Sequence, residues 1–170
     1  MTRMVLIRHG QSVWNAANRF TGWTDVELSL IGKAEAAAAG EQLADVHFDV
    51  IHTSALIRAQ ATAEIVMSHN KASDNPPTRY DERLNERHYG GLTGLNKAET
   101  AEKHGDDQVK IWRRSFDIPP PAMEAGSAFD LSADRRYAGI AIPATESLKD
   151  TIARVLPYWD TVIAPDLKAG

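Results

Sequence analysis

The chain has 170 residues, 43% hydrophobic and 25% charged, enough for one domain with a substantial core. A formal charge of -4 and an isoelectric point near 5.8 exclude a general nucleic-acid surface, and no apolar run approaches the length of a membrane span or signal-peptide core. There is no cysteine, so disulfides and thiolate metal sites are excluded, and a cytoplasmic protein with no membrane or nucleic-acid partner is expected.

Residues 3–8 have the pattern of a continuous apolar strand buried on both faces of a parallel sheet, ending in Arg8, His9 and Gly10. Ser29 is placed to cap a helix to about residue 44, and "FDVIHT" at 48–53 predicts a second strand. Ser54 is the expected cap of a helix to about residue 68, broken by Asn75, Pro76 and Pro77. A third strand is expected at 78–81, followed by the glycine-punctuated loop "LNERHYGGLTGLN". Asn96 and Glu99 have capping-box spacing, so a helix should run toward Lys103 and stop near Gly105; another follows at about 107–115 and meets "IPPP". Residues 118–143 read as irregular. Thr145 then caps a helix whose Leu148, Ile152, Val155, Leu156, Trp159, Val162 and Ile163 share one face, with a kink at Pro157. The alternation predicts a single α/β domain over residues 1–170, a mostly parallel central sheet flanked by helices. Three strands against five helical segments make that sheet thin.

A strand that delivers a cation and an imidazole to its tip has the makings of an active site. Imidazole is a competent nucleophile near neutral pH, and Arg8, Arg58, Arg113 and Arg114 suit the charged oxygens of a phosphoryl group. Gly10 would let the backbone approach those oxygens, with Ser12, Asn15, Thr21 and Gly22 adding neutral donors. Glu86, in the loop with the strongest turn punctuation, is the candidate general acid and base. Each residue has a plainer alternative: a strand-end histidine satisfied structurally, a surface Glu86–Arg87 ion pair, and solvated arginines at 113 and 114. Trp14, Trp23, Trp112 and Trp159 read as packing residues. His47, His52, His69, His88 and His104 have no metal-ligand spacing, so no metal is expected, and there is no GxSxG, P-loop or GxGxxG motif.

The stretches "LIRHGQSVWNAANRFTGWTDVELSLIGKAEAAAAG", "HTSALIRAQAT", "LNERHYGGLTGLNKAETAEKHGDDQVKIWRRSF" and "TESLKDTIARVLPYW" resemble the cofactor-dependent phosphoglycerate mutases of the histidine phosphatase superfamily. The resemblance covers the chain except around residues 118–140. "RHG" marks only the superfamily, whereas "NERHYGGLTGLNKAET" and "WRR" separate the mutases from general phosphatases. It implies that His9 is the nucleophile phosphorylated as an intermediate and Glu86 the proton donor and acceptor. Arg8 and Arg58 would bind the transferring phosphoryl group. Ser12, Asn15, Thr21, Gly22, Arg87, His88, Tyr89, Lys97, Arg113 and Arg114 would hold the rest of the substrate. The implied reaction interconverts 2-phosphoglycerate and 3-phosphoglycerate, primed by 2,3-bisphosphoglycerate as phosphodonor. A lid over residues 86–115 would keep water from the phosphoryl group. The resemblance also implies homo-oligomers, dimers or tetramers.

In one respect the sequence departs from the family, whose members continue into a strand ending in a second His-Gly-Asn segment. The resemblance implies that this histidine faces the nucleophile across the phosphoryl group; removing such a donor costs about 100- to 1,000-fold in rate. The expectation is a fold truncated at its C-terminus, lacking the strand that pairs beside the first. Two alternatives stand beside the mutase: a catalytically impaired relative that binds phosphorylated metabolites, and a histidine phosphatase, against which the lid segment speaks.

Overall fold

Two short strands, β1 (Ile51–Thr53) and β2 (Thr78–Tyr80), pair in parallel in the computed structural model, which describes residues 2–169. Their register sets Ile51 opposite Thr78, His52 opposite Arg79 and Thr53 opposite Tyr80. Helix α3 (Ile57–His69) supplies the crossover that a parallel pair requires. The α/β class holds, but the sheet of the described residues has two strands rather than three. Residues 3–8 form no ladder, and Met4, Leu6 and Ile7 are exposed, Leu6 by 82%. The apolar pattern alone cannot make a strand: every N–H and C=O of an extended segment needs a neighbouring strand, and no described segment pairs with this one.

The chain divides into two compact units, the first comprising residues 1–16, 25–85 and 154–170, the second residues 17–24 and 86–153. In the first, helix α2 (Leu30–Gln42) packs on α3 through a stripe of small residues. Gly32, Ala36 and Gly40 are buried at four-residue spacing on α2, and Arg58, Thr62 and Val66 at the same spacing on α3. A Cβ on Gly40 would sit 2.9 Å from both Val66 O and His69 Cβ, so only glycine admits this approach. Ser29 caps α2 as expected, its hydroxyl accepting the Gly32 N–H. The expected cap of α3 is corrected. The Ser54 hydroxyl accepts the Leu56 N–H, and the Ile57 N–H donates instead to the carboxylate of Asp25, 2.7 Å away. Asn85 takes the Ala55 N–H, and Arg154 donates to the carbonyls of Glu82, Arg83 and Asn85, closing the 3-10 turn Glu82–Leu84.

In the second unit, helices α4 (Lys97–His104) and α5 (Asp106–Arg114) form a hairpin over a core of Phe20, Leu92 and Val109. Asn96 caps α4 by accepting from the Ala98 and Glu99 N–H groups, and Gly105, at φ +84°, ends it. The segment after Ala16 lies along this loop through Gly94 N–H to Phe20 O, Phe20 N–H to Leu95 O and Lys97 N–H to Asn18 O. Residues 118–143 are irregular as expected, with one 3-10 turn, Arg135–Tyr137, whose buried Tyr137 stacks on Trp23 at 5.2 Å.

Helix α6 (Leu148–Tyr158) begins two residues later than expected. Thr145 donates its hydroxyl to Pro120 O, and the cap is the reciprocal Ser147–Asp150 pair: Ser147 Oγ accepts the Asp150 N–H while Asp150 accepts the Ser147 N–H and O–H. Pro157 lies inside α6, and the turn that follows it, Trp159–Ile163, widens to π geometry before α7 (Ala164–Ala169). The predicted apolar face is not a buried one. Leu148, Ile152 and Leu156 are each at least 39% exposed.

Candidate active site

In the first unit, Arg58 lies in the first turn of α3 with its guanidinium buried, 1% exposed, and its Nε donates to His9 Nε2 at 3.3 Å. His9 Nδ1 is 2.7 Å from Gly10 O. A carbonyl only accepts, so Nδ1 carries the proton; Nε2 then presents a lone pair, which is what the Arg58 N–H meets. The two contacts define one tautomer, with the Nε2 lone pair of the imidazole beside the Arg58 guanidinium.

The tip that carries His9 is held by contacts the sequence did not point to. The Gly10 N–H donates to Thr62 Oγ1 at 3.1 Å, and Thr62 donates to Arg58 O at 2.7 Å. A Cβ on Gly10 would overlap the carbonyl of Gly32, and one on Gly32 the carbonyl of Gln11. The backbone of α2 lies against Gly10, which gives glycine a packing reason at this position beside the expected approach to the phosphoryl oxygens. Ser12 and Asn15 form a reciprocal cap for α1 (Val13–Ala16): each accepts the other's N–H at 3.1 Å, which leaves the Nδ2 donors of Asn15. Arg8 is exposed.

In the second unit, Glu86, Arg87, His88 and Tyr89 follow one another in the loop that precedes the 3-10 turn Gly90–Leu92. Arg87 donates to Arg113 O at 3.0 Å and lies 4.8 Å over the Tyr89 ring, so loop and α5 are joined. Gly22, at φ +59°, packs directly on the Arg87–Tyr89 backbone; its missing Cβ would lie 3.0 Å from Tyr89 N. Thr21 is 4% exposed, and its hydroxyl has no hydrogen-bond partner among the described residues. Lys97 Nζ sits 5.7 Å over the Phe20 ring. A cavity of about 400 Å³ at the hairpin is lined by Asn18, Lys97, Asp106, Lys110, Arg113 and Arg114, four cations against one carboxylate.

His88 lies behind this loop. It is 3% exposed, its Nδ1 accepts the Gly90 N–H at 3.0 Å, and its ring packs 6.0 Å from that of Trp23, which suits a supporting role better than substrate contact. Sequence reasoning also missed Thr62, Gly32, Asp25 and Glu146. The one available signal was spacing: Thr62 follows Arg58 by one helical turn.

The histidine phosphatase superfamily (branch 1) model matches residues 4–166, and the chain belongs to that family. All of it aligns at 62% identity with a 2,3-bisphosphoglycerate-dependent phosphoglycerate mutase of Zymomonas mobilis, and at 63% with the protein of the same name from Sphingopyxis alaskensis. It spans 75% of the length of each, and within the superfamily it is a member of these mutases. Among solved structures, a mycobacterial glucosyl-3-phosphoglycerate phosphatase superposes with a TM-score of 0.69 at 28% identity over 93% of this chain. The chain spans 63% of that protein's length.

Proposed function

We propose that the sequence encodes a phosphoglycerate mutase that works through phosphorylated His9 and interconverts 2-phosphoglycerate and 3-phosphoglycerate. The observation that carries this reading is the fixed tautomer of His9, whose Nε2 lone pair faces the buried Arg58. A bisphosphorylated acid is a chemical match for the residues present: the buried Thr21 hydroxyl, unpartnered among the described residues, and the cations at Lys97, Arg113 and Arg114. When bound, 2,3-bisphosphoglycerate supplies the phosphoryl group.

His9 Nε2 forms the new bond to phosphorus as the bond from phosphorus to the glycerate oxygen breaks. Glu86, as the acid, gives that oxygen its proton and is left as carboxylate. In the return step Glu86 takes the proton from the attacking hydroxyl, and the bond from Nε2 to phosphorus breaks. Arg58 balances charge on the phosphoryl oxygens in both directions, and Arg8 assists it. Ser12, Asn15, Thr21, Gly22, Arg87, Tyr89, Lys97, Arg113 and Arg114 hold the carboxylate and second phosphate.

The test is intact-mass measurement before and after incubation with 2,3-bisphosphoglycerate, with His9→Ala alongside. The expected result is gain of one phosphoryl group in the parent protein and none in the variant, with transfer to monophosphoglycerate on its addition. Equal labelling without His9 would overturn the assignment. Release of the group only to water would identify a phosphatase.

A further inference from the structure

Glu146 is 2% exposed, and the clamp it forms has no counterpart elsewhere in the functional assignment. Its carboxyl Oε2 accepts the His88 N–H at 2.8 Å, and its own N–H donates to His88 O at 3.0 Å. Both peptide groups flanking His88 are therefore tied to one residue, and rotation about either backbone bond of His88 breaks a contact. His88 Nδ1 accepts the Gly90 N–H, so the side chain of the clamped residue fixes the next turn as well. The ends of the irregular segment close around the same place. Gly91 N–H donates to Pro121 O at 2.7 Å, and Met123 N–H to Ala144 O at 2.8 Å. A Cβ on Gly90 would overlap Pro121 O and lie 2.9 Å from the Thr145 side chain.

We infer that Glu146 is a positioning residue for the proton-transfer and substrate-binding loop: its carboxyl fixes the Arg87–His88–Tyr89 backbone and, through it, the aim of Glu86 and Arg87. This rests on the reading of Glu86 as proton donor and of Arg87 as substrate ligand. A side chain from a distant point of the chain is used here because the His88 N–H faces no neighbouring strand; among acidic and amide side chains, Glu and Gln both reach it with an acceptor oxygen. Misplacement of a reacting group by about 1 Å costs on the order of 100-fold in rate, so the carboxyl acts on catalysis without touching substrate.

The experiment compares Glu146→Ala, Glu146→Gln and Glu86→Gln with the parent protein. It measures phosphoryl transfer from 2,3-bisphosphoglycerate to His9, the split between maximal rate and half-saturation, and exchange of the His88 amide. The expected result is that Glu146→Ala lowers the maximal transfer rate about 10- to 100-fold and accelerates His88 amide exchange. Glu146→Gln, which keeps an acceptor for the His88 N–H, should recover both to within about threefold of the parent. Parent-like transfer in Glu146→Ala beside an impaired Glu86→Gln overturns the inference. So does a Gln variant that is folded and as impaired as the Ala variant, because the acceptor is then not what matters. If Glu86→Gln transfers normally, the reading of Glu86 has failed instead; the clamp then stands if the Ala variant raises the half-saturation concentration through Arg87 and the Gln variant restores it, and falls if neither changes. If the Ala variant does not fold, a folded Gln variant with parent-like kinetics supports the acceptor role, and an impaired one removes it.

Discussion

The hydroxyl of Thr62 accepts the Gly10 N–H at 3.1 Å while donating to Arg58 O at 2.7 Å, so one side chain joins the histidine-bearing tip to the helix that carries its arginine. Thr62→Val keeps the shape and removes both contacts, leaving a buried N–H without an acceptor. It should destabilise the protein by about 1–3 kcal/mol and slow phosphorylation of His9, whereas Thr62→Ser should restore both. Thermal unfolding and transfer rates on the three proteins check this.

Arg58→Lys retains a charge but not the Nε donor aimed at His9. Transfer to His9 should fall by about 100- to 1,000-fold in Arg58→Ala, with only partial recovery in the lysine variant, as measured by quenched-flow labelling. An unimpaired lysine variant would mean that charge alone is required.

Gly32→Ala introduces a methyl group where Gln11 backbone atoms already lie, with Gln11 N 2.7 Å from the added carbon. Backbone cannot rotate out of the way as a flexible side chain can. The expected cost is about 1–3 kcal/mol, accompanied by loss of His9 labelling, because the displaced residue is two positions from His9. Denaturant unfolding and His9 labelling should decline together.

A pH dependence follows from His52, whose Nδ1 is 2.8 Å from the Tyr158 hydroxyl and whose Nε2 is 3.1 Å from Asp166. Burial pushes its pKa down; the Asp166 carboxylate pulls it up, Arg79 pushes it down again, and the net direction is below the ordinary 6.5. The folded form thus holds this imidazole neutral while the unfolded chain protonates first. Its contribution to stability is intact above pH 6.5 and is lost as pH falls from 6.5 to the lowered folded value, below which the loss is complete, with a slope of at most about 1.4 kcal/mol per pH unit. His47, exposed and shifted upward by its contact with Ala72 O, has the opposite sign. His52→Gln should therefore flatten the decline in Tm between about pH 7 and 5, leaving the His47 trend.

Local chemistry was legible in the sequence where it was encoded within a few residues. Ser29, Asn96 and Gly105 act at the helix ends where their types put them. Ser54 and Thr145 have the right type for caps but were the wrong residues, because α3 receives its acceptor from Asp25 and Thr145 is occupied by Pro120. That choice is tertiary and leaves no mark in the local pattern. The same holds for residues 3–8, whose apolar content reads as strand although pairing depends on a neighbour. At the site, His9 and Arg58 were legible as types and their contact was not. Glu146 was invisible in principle, since its partner His88 is 58 positions away.

The small-residue stripe of α2 has one more effect. Gly10 meets Gly32 at one end of that helix, Gly40 meets Val66 near the other, and Thr62 returns from α3 to Gly10. The three contacts make a closed triangle of references, as a surveyor fixes a point by sighting it from two stations. His9 is bonded to Gly10, so its position is referred to the α2–α3 pair through that triangle.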